Sequence, residues 1–325
     1  MRIGQNPAKS IDKVVQPAKV TITVVTYIPF LSGYYAESLE VLKVCLDSIQ
    51  QSTGSRDPAA PAYDLMIFDN ASCLEVRDYL LDAHHLGHIQ YLILSDRNLG
   101  KGGAWNVIFQ GAPGKIVAYS DSDVYFYPGW LEHSVEILEH YPNVGMVTAR
   151  PLRTPRKFFT STLEWAKQEL DAQLETGQLT NWASFKEHTD SLGMPDDEAE
   201  ERFRTMQDWR IHYQGLTSYA GAAHFQFLGY KETFRTMFPI EMSRPMGQVR
   251  GLDFRLNQQG YLRLTTEKLL VKHIGNRLAQ GPGQPIPTKQ TRNSSRKRLA
   301  NLPIIRRPLL YLYNKIFRLY YDTNQ

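Results

Sequence analysis

The feature that most constrains this 325-residue chain is a repeated alternation of short apolar runs with helix-like stretches between residues 20 and 150. The runs are rich in β-branched residues and have the length of buried strands. Apolar residues at helical spacing fill the stretches between them. Strands that alternate with helices indicate βαβ units, so the chain is predicted to form an α/β fold with an open, mostly parallel sheet flanked by helices. The predicted strands are 20–26, 63–68, 89–94, 116–119 and 144–147, and the predicted helices are 36–51, 73–83, 104–110 and 129–140.

Polar residues follow four of these predicted strands. Ligands of open α/β sheets bind beyond the carboxyl ends of the strands, so four polar loops there predict a shared crevice. The loops are Thr26-Tyr27, Asp69-Asn70, Asp96 to Gly100 and Asp121-Ser122-Asp123. The last is the sharpest feature, because two carboxylates one residue apart suit Mg²⁺ or Mn²⁺ with positions left for phosphate oxygens. The alternative is an Asx-rich turn that caps the next helix.

The second half of the chain changes character. Residues 151–214 are acid-rich and helical in pattern, which predicts an inserted helical lid, and strand-like patterning resumes at 262–272. The predicted domains are a lead-in (1–19), a main α/β domain (20–280) and a tail (281–325), and the main domain divides into residues 20–150, the helical insertion (151–214) and residues 215–280.

The formal net charge of +4 is unevenly distributed. Residues 281–325 carry nine basic residues and one acidic residue, whereas residues 1–280 carry 28 basic and 32 acidic residues. The tail combines a basic cluster at 292–298 with an apolar, aromatic stretch at 309–321. A basic amphipathic helix of this kind is typical of binding to an anionic membrane surface. A helix docked on the body or on a second subunit is the alternative.

The compartment is predicted to be the cytoplasm. The first 16 residues contain no apolar signal-peptide core, and no run approaches the ~20 apolar residues that cross a bilayer. Two cysteines, Cys45 and Cys73, exclude a disulfide scaffold and fit a reducing compartment. Together with the tail, these features predict a cytoplasmic protein that associates peripherally with the cytoplasmic membrane face.

Several segments, taken in order, resemble those of family 2 glycosyltransferases. The resemblance runs from about Val20 to Asn276 and depends on the order and spacing of the motifs rather than on any one of them. The motifs are DNAS (69–72), DRNLGKGGAWN (96–106), DSDVYFYPGWL (121–131), GLDFRL (251–256) with Gly260, and His273 at the end of a predicted strand.

The resemblance implies a GT-A fold and an inverting, metal-dependent glycosyltransferase of polysaccharide biosynthesis. Residues 20–280 would then be the GT-A catalytic domain, with a nucleotide-sugar half (20–150) and an acceptor half (215–280). It would move a hexosyl or deoxyhexosyl group from a UDP-, dTDP- or GDP-sugar to a hydroxyl of a glycan or lipid-linked acceptor. The implied metal, Mn²⁺ or Mg²⁺, would be held by Asp123 and His273 of this DXD-containing site. The implied nucleotide-sugar contacts are Thr26, Tyr27, Asp69, Asn70, Asp96, Arg97, Gly100 and Asp121, and the implied acceptor contacts are His224 and Arg255.

The resemblance also implies that Asp253 is the general base. A carboxylate is needed because an alcohol oxygen is a poor nucleophile unless its proton is removed in the transition state. Leu252 stands where the family often has an acid beside the base, so the assignment depends on Asp253 alone. Glu241 is the nearest earlier acid in this segment and is the alternative base.

Two other functions remain open from the residues. A nucleic-acid-binding protein could grip phosphates with its basic tail. The acidic body argues against it, as does the absence of a helix-turn-helix, zinc or RNA-recognition motif, so no nucleic-acid partner is expected. A nucleotidyltransferase of related fold would usually carry a Gly-rich segment with Arg and Lys after the first strand. Residues 27–34 (YIPFLSGY) do not have that composition.

Overall fold

Val20–Thr26, the first predicted strand, forms β1 near the middle of the sheet in this computed structural model. The structure describes residues 4–10, 13–53, 61–243 and 248–278. The further strands are β2 (Tyr63–Asn70), β3 (Tyr91–Ser95), β4 (Ile116–Asp121), β5 (Val124–Phe126), β6 (Val144–Thr148), β7 (Ala172–Gly177), β8 (Asp208–Tyr213), β9 (Leu216–Ala220), β10 (Gln226–Tyr230), β11 (Leu262–Thr266) and β12 (Val271–His273). The helices are α1 (Ser38–Thr53), α2 (Leu74–His85), α3 (Gly100–Gly111), α4 (Trp130–His140), α5 (Thr160–Gln168), α6 (Trp182–Ser191), α7 (Asp196–Thr205), α8 (Lys231–Met237) and α9 (Arg250–Gln258), and short 3₁₀ turns occupy Pro7–Ser10, Gly33–Tyr35 and Arg156–Phe158.

Within the described residues, ten strands form one mixed sheet in the order β3-β2-β1-β4-β10-β6-β11-β9-β8-β7. The pairs from β3 to β4 are all parallel, and β10 is antiparallel to both β4 and β6. Strand β11 returns to the direction of β6, and β9, β8 and β7 then alternate. Seven of the ten strands therefore run in one direction, as the prediction of a mostly parallel open sheet requires.

Helices cover both faces of this sheet because alternate strand residues point to opposite sides. In β4, Ile116 and Ala118 join the larger apolar core, which also contains residues of α1, α2 and α4. The alternating residues Val117 and Tyr119 join a second core with residues of α3, α8 and α9. The carboxyl ends of the parallel strands lie together at one end of this layered arrangement.

The first 150 residues follow the predicted order of elements. Strand β1 has its predicted bounds, and most other bounds differ by a few residues. Strand β2 extends through Asp69 and Asn70, so these two residues end the strand and do not belong to a loop. Helix α3 begins at Gly100, four residues before the predicted start. Gly100 has φ of +69°, a conformation that glycine adopts without steric cost.

The prediction of a helical insertion at 151–214 is wrong for part of that segment. Helices α5, α6 and α7 lie in it, but β7 and β8 add two antiparallel strands to the main sheet. The sequence signal of these strands is an alternation of apolar and polar residues with a period of two. In β8, Trp209, Ile211 and Tyr213 pack on the larger core, and Ile211 is fully buried. The acidic composition of the neighbouring helices obscured this pattern.

The predicted strand region at 262–272 divides between two sheets. Strand β11 enters the main sheet, whereas β12 pairs with β5 in a separate two-stranded ribbon. The tail at 281–325, with its predicted membrane-binding helix, lies outside the described residues. Among the residues that the structure describes, no helix is both long and apolar enough to cross a lipid bilayer.

Candidate active site

The carboxyl ends of the parallel strands bring four of the predicted site residues side by side. Thr26 of β1 is in register with Asp69 of β2, and the preceding residue of β1, Val25, is in register with Asp121 of β4. Asn70 of β2 is in register with Ser95 of β3. The polar residues predicted to share one site therefore lie on adjacent strand ends, at the edge of the sheet where such folds bind ligands.

Asp121 is paired with a lysine that the sequence analysis did not assign to the site. Lys101 Nζ lies 2.6 Å from Asp121 Oδ1, and the Tyr119 hydroxyl donates to the same oxygen. The ammonium group also lies over the rings of Trp105 and Tyr119, 5.6 and 5.4 Å from their centroids. Burial, followed by the charge of Asp121, raises the pKa of Tyr119 well above its ordinary value, so the phenol stays protonated and donates. The early start of α3 at Gly100 places Lys101 here.

Asp123 and His273 meet because β5 pairs with β12. His273 is in register with Val124, and Ile274 N donates to the Asp123 carbonyl at 2.7 Å. The side chains face each other with His273 Nε2 3.3 Å from Asp123 Oδ2. Asp123 Oδ1 is buried and has no hydrogen-bond partner in the part of the chain described. The two predicted metal ligands are thus brought together from positions 150 residues apart in sequence.

Ser191, at the end of α6, fixes the tautomer of neutral His273, so that the nitrogen facing Asp123 is an acceptor. Ser191 Oγ donates its hydrogen to the His188 carbonyl at 2.6 Å and lies 3.0 Å from His273 Nδ1. The serine hydrogen is already used, so Nδ1 must be the donor in that contact. Neutral His273 then turns the lone pair of Nε2 toward the carboxylate of Asp123. Two acceptors that face each other need a proton or a metal cation between them.

The pKa shifts of this pair agree with that geometry in the metal-free protein. Burial alone would raise the pKa of Asp123, but the hydrogen bond and charge of His273, helped by the charge of Lys101, hold it below its ordinary value. Burial would lower the pKa of His273, whereas the hydrogen bond and charges of Asp123 and Asp121 outweigh burial and raise it. Within the described residues, no group of three or more His, Cys, Asp or Glu side chains is placed to hold one metal ion. Asp123 and His273 would therefore supply a partial coordination shell.

Asp69 is fully buried and accepts hydrogen bonds from Ser72 N and Arg77 Nε, each at 3.1 Å. Arg77 also contacts Asp96 Oδ1 at 3.1 Å and donates to the Ser95 carbonyl at 2.6 Å. Arg77, which the sequence analysis did not select, thus ties the ends of β2 and β3 together. A carboxylate placed eight residues before an arginine on the following helix is the signal that could have identified it.

The remaining predicted donor contacts surround this edge. Asn70 accepts from Leu99 N at 2.8 Å, which holds the turn before Gly100 against β2. Thr26 is buried, and its hydroxyl has no hydrogen-bond partner among the described residues. Tyr27 is partly buried and packs edge-on against Tyr35, whereas Arg97 is exposed. Asp96 is 92% exposed, so it reaches solvent while its carboxylate touches Arg77.

Asp253 lies in the first turn of α9 and is only 3% exposed. Its Oδ1 lies 2.5 Å from Arg263 Nη2, and its Oδ2 lies 2.8 Å from His224 Nε2. Leu252, where the family often has an acid, is fully buried in the apolar core. The alternative base Glu241 is exposed.

The two predicted acceptor contacts have different surroundings. His224 belongs to the same cluster as Asp253, and its ring packs edge-on against Trp105 at 5.7 Å between centroids. Arg255 donates to the carbonyls of Met237 and Pro239, the latter at 2.9 Å. Arg255 therefore holds the end of α8, and its role as an acceptor contact stays a prediction.

One comparison with known proteins, a match to a family model, supports the expected family. The family model described as "Glycosyl transferase family 2" matches residues 33–195, half of the chain, including β2 to β6 and the Asp121-Ser122-Asp123 segment. A comparison with curated proteins finds no match. Among solved structures, the chain is similar to "Crystal structure of S. aureus TarS 1-349", with 11% identity and a TM-score of 0.41, covering 77% of this chain and 60% of that one. The chain thus spans less than two thirds of that protein.

The family match and the observed architecture together confirm the predicted family and fold class. The mixed, mostly parallel sheet with helices on both faces is consistent with a GT-A fold. Glycosyl transfer is the activity that this family implies, with a nucleotide sugar as donor and a glycan as acceptor in general. The chain belongs to glycosyl transferase family 2.

Proposed function

We propose that this chain transfers a hexosyl or deoxyhexosyl group from a nucleoside-diphosphate sugar to a hydroxyl of a glycan or lipid-linked acceptor, with inversion at the anomeric carbon. The donor would be a UDP-, dTDP- or GDP-sugar. The observation that carries the proposal is the contact between Asp123 and His273, which aims two acceptor atoms at each other beside Asp121 and Lys101.

The Asp123–His273 pair would bind a divalent cation, Mn²⁺ or Mg²⁺. The buried Oδ1 of Asp123 and the Nε2 lone pair of His273 supply oxygen and nitrogen donors, which suit Mn²⁺ well. When bound, such a cation neutralises charge that develops on the leaving diphosphate. Lys101 would contact the same phosphates by leaving Asp121, and Asp121 would then contact the ribose or the transferred sugar.

The nucleoside would lie across the ends of β1 and β2. Thr26 offers a buried hydroxyl there, and Asp69 and Asn70 supply fixed polar groups on the neighbouring strand. Tyr27 would line the same pocket. Arg97 and Asp96 are exposed on the loop before α3, from which they would contact the nucleotide or the donor sugar together with Gly100.

Inversion requires one base on the acceptor side of the sugar. The acceptor oxygen attacks the anomeric carbon as the bond to the diphosphate breaks, and the acceptor proton passes to the protein. Asp253 would be the carboxylate that drives this transfer, because it is buried beside His224, whose ring packs against Trp105. Metal-assisted departure of a diphosphate needs no second carboxylate as an acid, unlike glycoside hydrolysis.

A thermal-shift screen of UDP, GDP and dTDP, each with and without Mn²⁺, tests the donor site. A ligand at ~100 times its Kd adds about 2.7 kcal/mol to the stability of the folded state. We expect one nucleotide to raise Tm by several degrees, with most of the gain requiring Mn²⁺. The absence of any shift with all three nucleotides would contradict the proposal.

The tail supports the further proposal of peripheral binding to the cytoplasmic membrane face. Nine basic residues and an aromatic, apolar stretch occupy residues 281–325. Each basic residue near an anionic surface contributes about 1 kcal/mol. The full chain should co-sediment with phosphatidylserine-containing vesicles and a chain ending at residue 280 should not. Equal binding of the two would contradict this proposal.

A further inference from the structure

The loop between β1 and α1 is longer than its neighbours at the carboxyl end of the sheet. It comprises residues 27–37, whereas the loop from β2 to α2 comprises only 71–73 and the loop from β3 to α3 only 96–99. Loops in α/β units most often have about 2–6 residues, and long ones commonly serve binding. The length of the 27–37 loop therefore calls for an explanation in the site that it borders.

One end of this loop is fixed beside the proposed nucleoside pocket. Ile28 N donates to Ser72 Oγ at 3.0 Å, and Cys73 N donates to the Ile28 carbonyl at 2.8 Å. Both partners lie in the turn that follows β2. Farther along the loop, Tyr35 packs on the larger core and edge-on against Tyr27, at 6.3 Å between ring centroids. The loop thus starts at the nucleoside end of the site and is held against the body of the protein.

The other end of the loop is fixed beside the Asp123–His273 pair. The Tyr34 carbonyl accepts from Asn276 Nδ2 at 2.8 Å. Asn276 follows His273 by three residues, and Ile274 N, between them, donates to the Asp123 carbonyl at 2.7 Å. An extended chain advances at most ~3.6 Å per residue, so the Cα atoms of Ile274 and Asn276 lie within about 7 Å of each other. The loop therefore crosses the site and brings Tyr34 to its metal end.

The side chain of Tyr34 is available to a ligand at this place. The residue is 56% exposed, and its ring packs edge-on against that of Tyr35 at 5.0 Å between centroids. Partial burial, followed by the charge of Asp123, raises the pKa of Tyr34. The phenol therefore stays protonated at neutral pH. It offers an O–H donor within the field of the Asp123 carboxylate, where the diphosphate of the nucleotide sugar would lie.

We propose that Tyr34 binds the donor substrate, with its hydroxyl donating a hydrogen bond to the phosphate that carries the sugar, and that Asn276 positions it. This inference rests on the proposed function and adds a contact to the donor site. The bond between the sugar and this phosphate breaks in the reaction, so the phosphate gains negative charge. A hydrogen bond from a neutral donor to such a group becomes stronger as that charge develops. The phenol keeps its proton throughout.

Nucleoside mono- and diphosphates test this contact without knowledge of the sugar or the acceptor. The probes are UDP and UMP, GDP and GMP, and dTDP and dTMP, each with Mn²⁺, and the measurement is Kd by isothermal titration calorimetry. A hydrogen bond to a charged group contributes about 10–100-fold, so Y34F should bind the diphosphate about tenfold more weakly or worse. Its Kd for the matching monophosphate should stay within about twofold of the wild-type value, because the monophosphate lacks the second phosphate.

A matched control and a second variant separate a contact with the ligand from a structural role. Y91F removes the hydroxyl of another exposed tyrosine, on the edge strand β3, and should bind every probe as the wild type does. The factor by which Mn²⁺ raises the affinity for the diphosphate should be the same in Y34F and wild type, since Asp123 and His273 are unchanged. N276A should weaken diphosphate binding less than Y34F does. The double variant Y34F/N276A should match Y34F, because Asn276 acts through Tyr34.

The outcomes separate this inference from the function on which it rests. If the wild type binds none of the three diphosphates, the proposed function and the inference both fail. If it binds one of them and Y34F binds the same diphosphate within twofold of wild type, only the inference fails. Equal weakening of the mono- and diphosphate in Y34F would also overturn it, because the contact would then not involve the second phosphate. Selective loss of diphosphate affinity at wild-type Tm is the result that we expect.

Discussion

The carboxylates of Asp123 and Asp253 are both proposed to serve catalysis, but the protein surrounds them differently. Asp123 has one buried oxygen without a partner in the described residues, and the other faces an imidazole nitrogen at 3.3 Å. Asp253 Oδ1 likewise makes no hydrogen bond in the described residues, but a guanidinium nitrogen lies 2.5 Å from it, and an imidazole nitrogen lies 2.8 Å from Oδ2. The first is prepared to receive a cation from solution, whereas the second already has its own. The surroundings of a carboxylate, rather than its residue type, therefore distinguish the proposed metal ligand from the proposed base.

The largest effect is expected from Asp123→Asn, which removes the charge that would hold the cation. Metal assistance contributes several kcal/mol, so we expect a loss of about 10³-fold in kcat/KM. The Mn²⁺-dependent part of the nucleotide thermal shift should disappear as well. Asp82→Asn, at an exposed position on α2, is the matched control. Retention of Mn²⁺-dependent binding by D123N would remove Asp123 from the metal site.

Arg263→Met tests the surroundings of Asp253 through the stability of the folded protein. The substitution leaves Asp253 buried without its guanidinium partner, and breaking such a pair costs about 3 kcal/mol. Urea unfolding monitored by tryptophan fluorescence measures this loss. The double variant R263M/D253N should recover part of the lost stability, because it also removes the buried charge that R263M leaves without a partner. Equal stability of R263M and wild type would show that Arg263 does not stabilise the buried carboxylate of Asp253.

Ser191→Ala should give the smallest of the three effects. Ser191 fixes the orientation of His273 from behind, and removing such a partner of a metal ligand typically costs about 10–100-fold in metal affinity or activity. Titration of Mn²⁺ in the nucleotide-binding assay measures the change. Ser161→Ala, which breaks a comparable serine contact between α5 and α9, is the control and should leave Mn²⁺ affinity unchanged. An S191A protein with wild-type Mn²⁺ affinity would contradict the tautomer argument.

The first half of the fold was predictable because its signal is local. The parallel strands β1, β2, β4 and β6 are apolar runs that are buried for most of their length, and each ends in a polar residue that needs no tertiary information to recognise. The edge strand β3 is partly exposed. Asp69, Asn70 and Asp121 therefore fell at strand ends as expected. The strands within 151–214 were harder to predict. β7 and β8 are short and half-exposed, and the acidic helices near them in the sequence hide the alternation of apolar and polar residues.

The side chains that contact the predicted site residues were harder to predict from the sequence. Lys101 entered the site because α3 begins at Gly100, and Arg77 because α2 packs beside the end of β2. Ser191 reaches His273 from an inserted helix 82 residues away. No spacing in the sequence records such contacts, since they depend on how separate elements pack against the sheet.

The sequence by itself determined the order of strands and helices, the family, and the residue types at the ends of β1, β2 and β4. Those follow from local apolar periodicity and from motifs that each lie within one short segment. Only the tertiary structure decided that Asp123 faces His273 and that Asp253 is enclosed by Arg263 and His224. The chemistry of a carboxylate depends on the charges and donors within a few ångströms, and those neighbours come from distant parts of the chain.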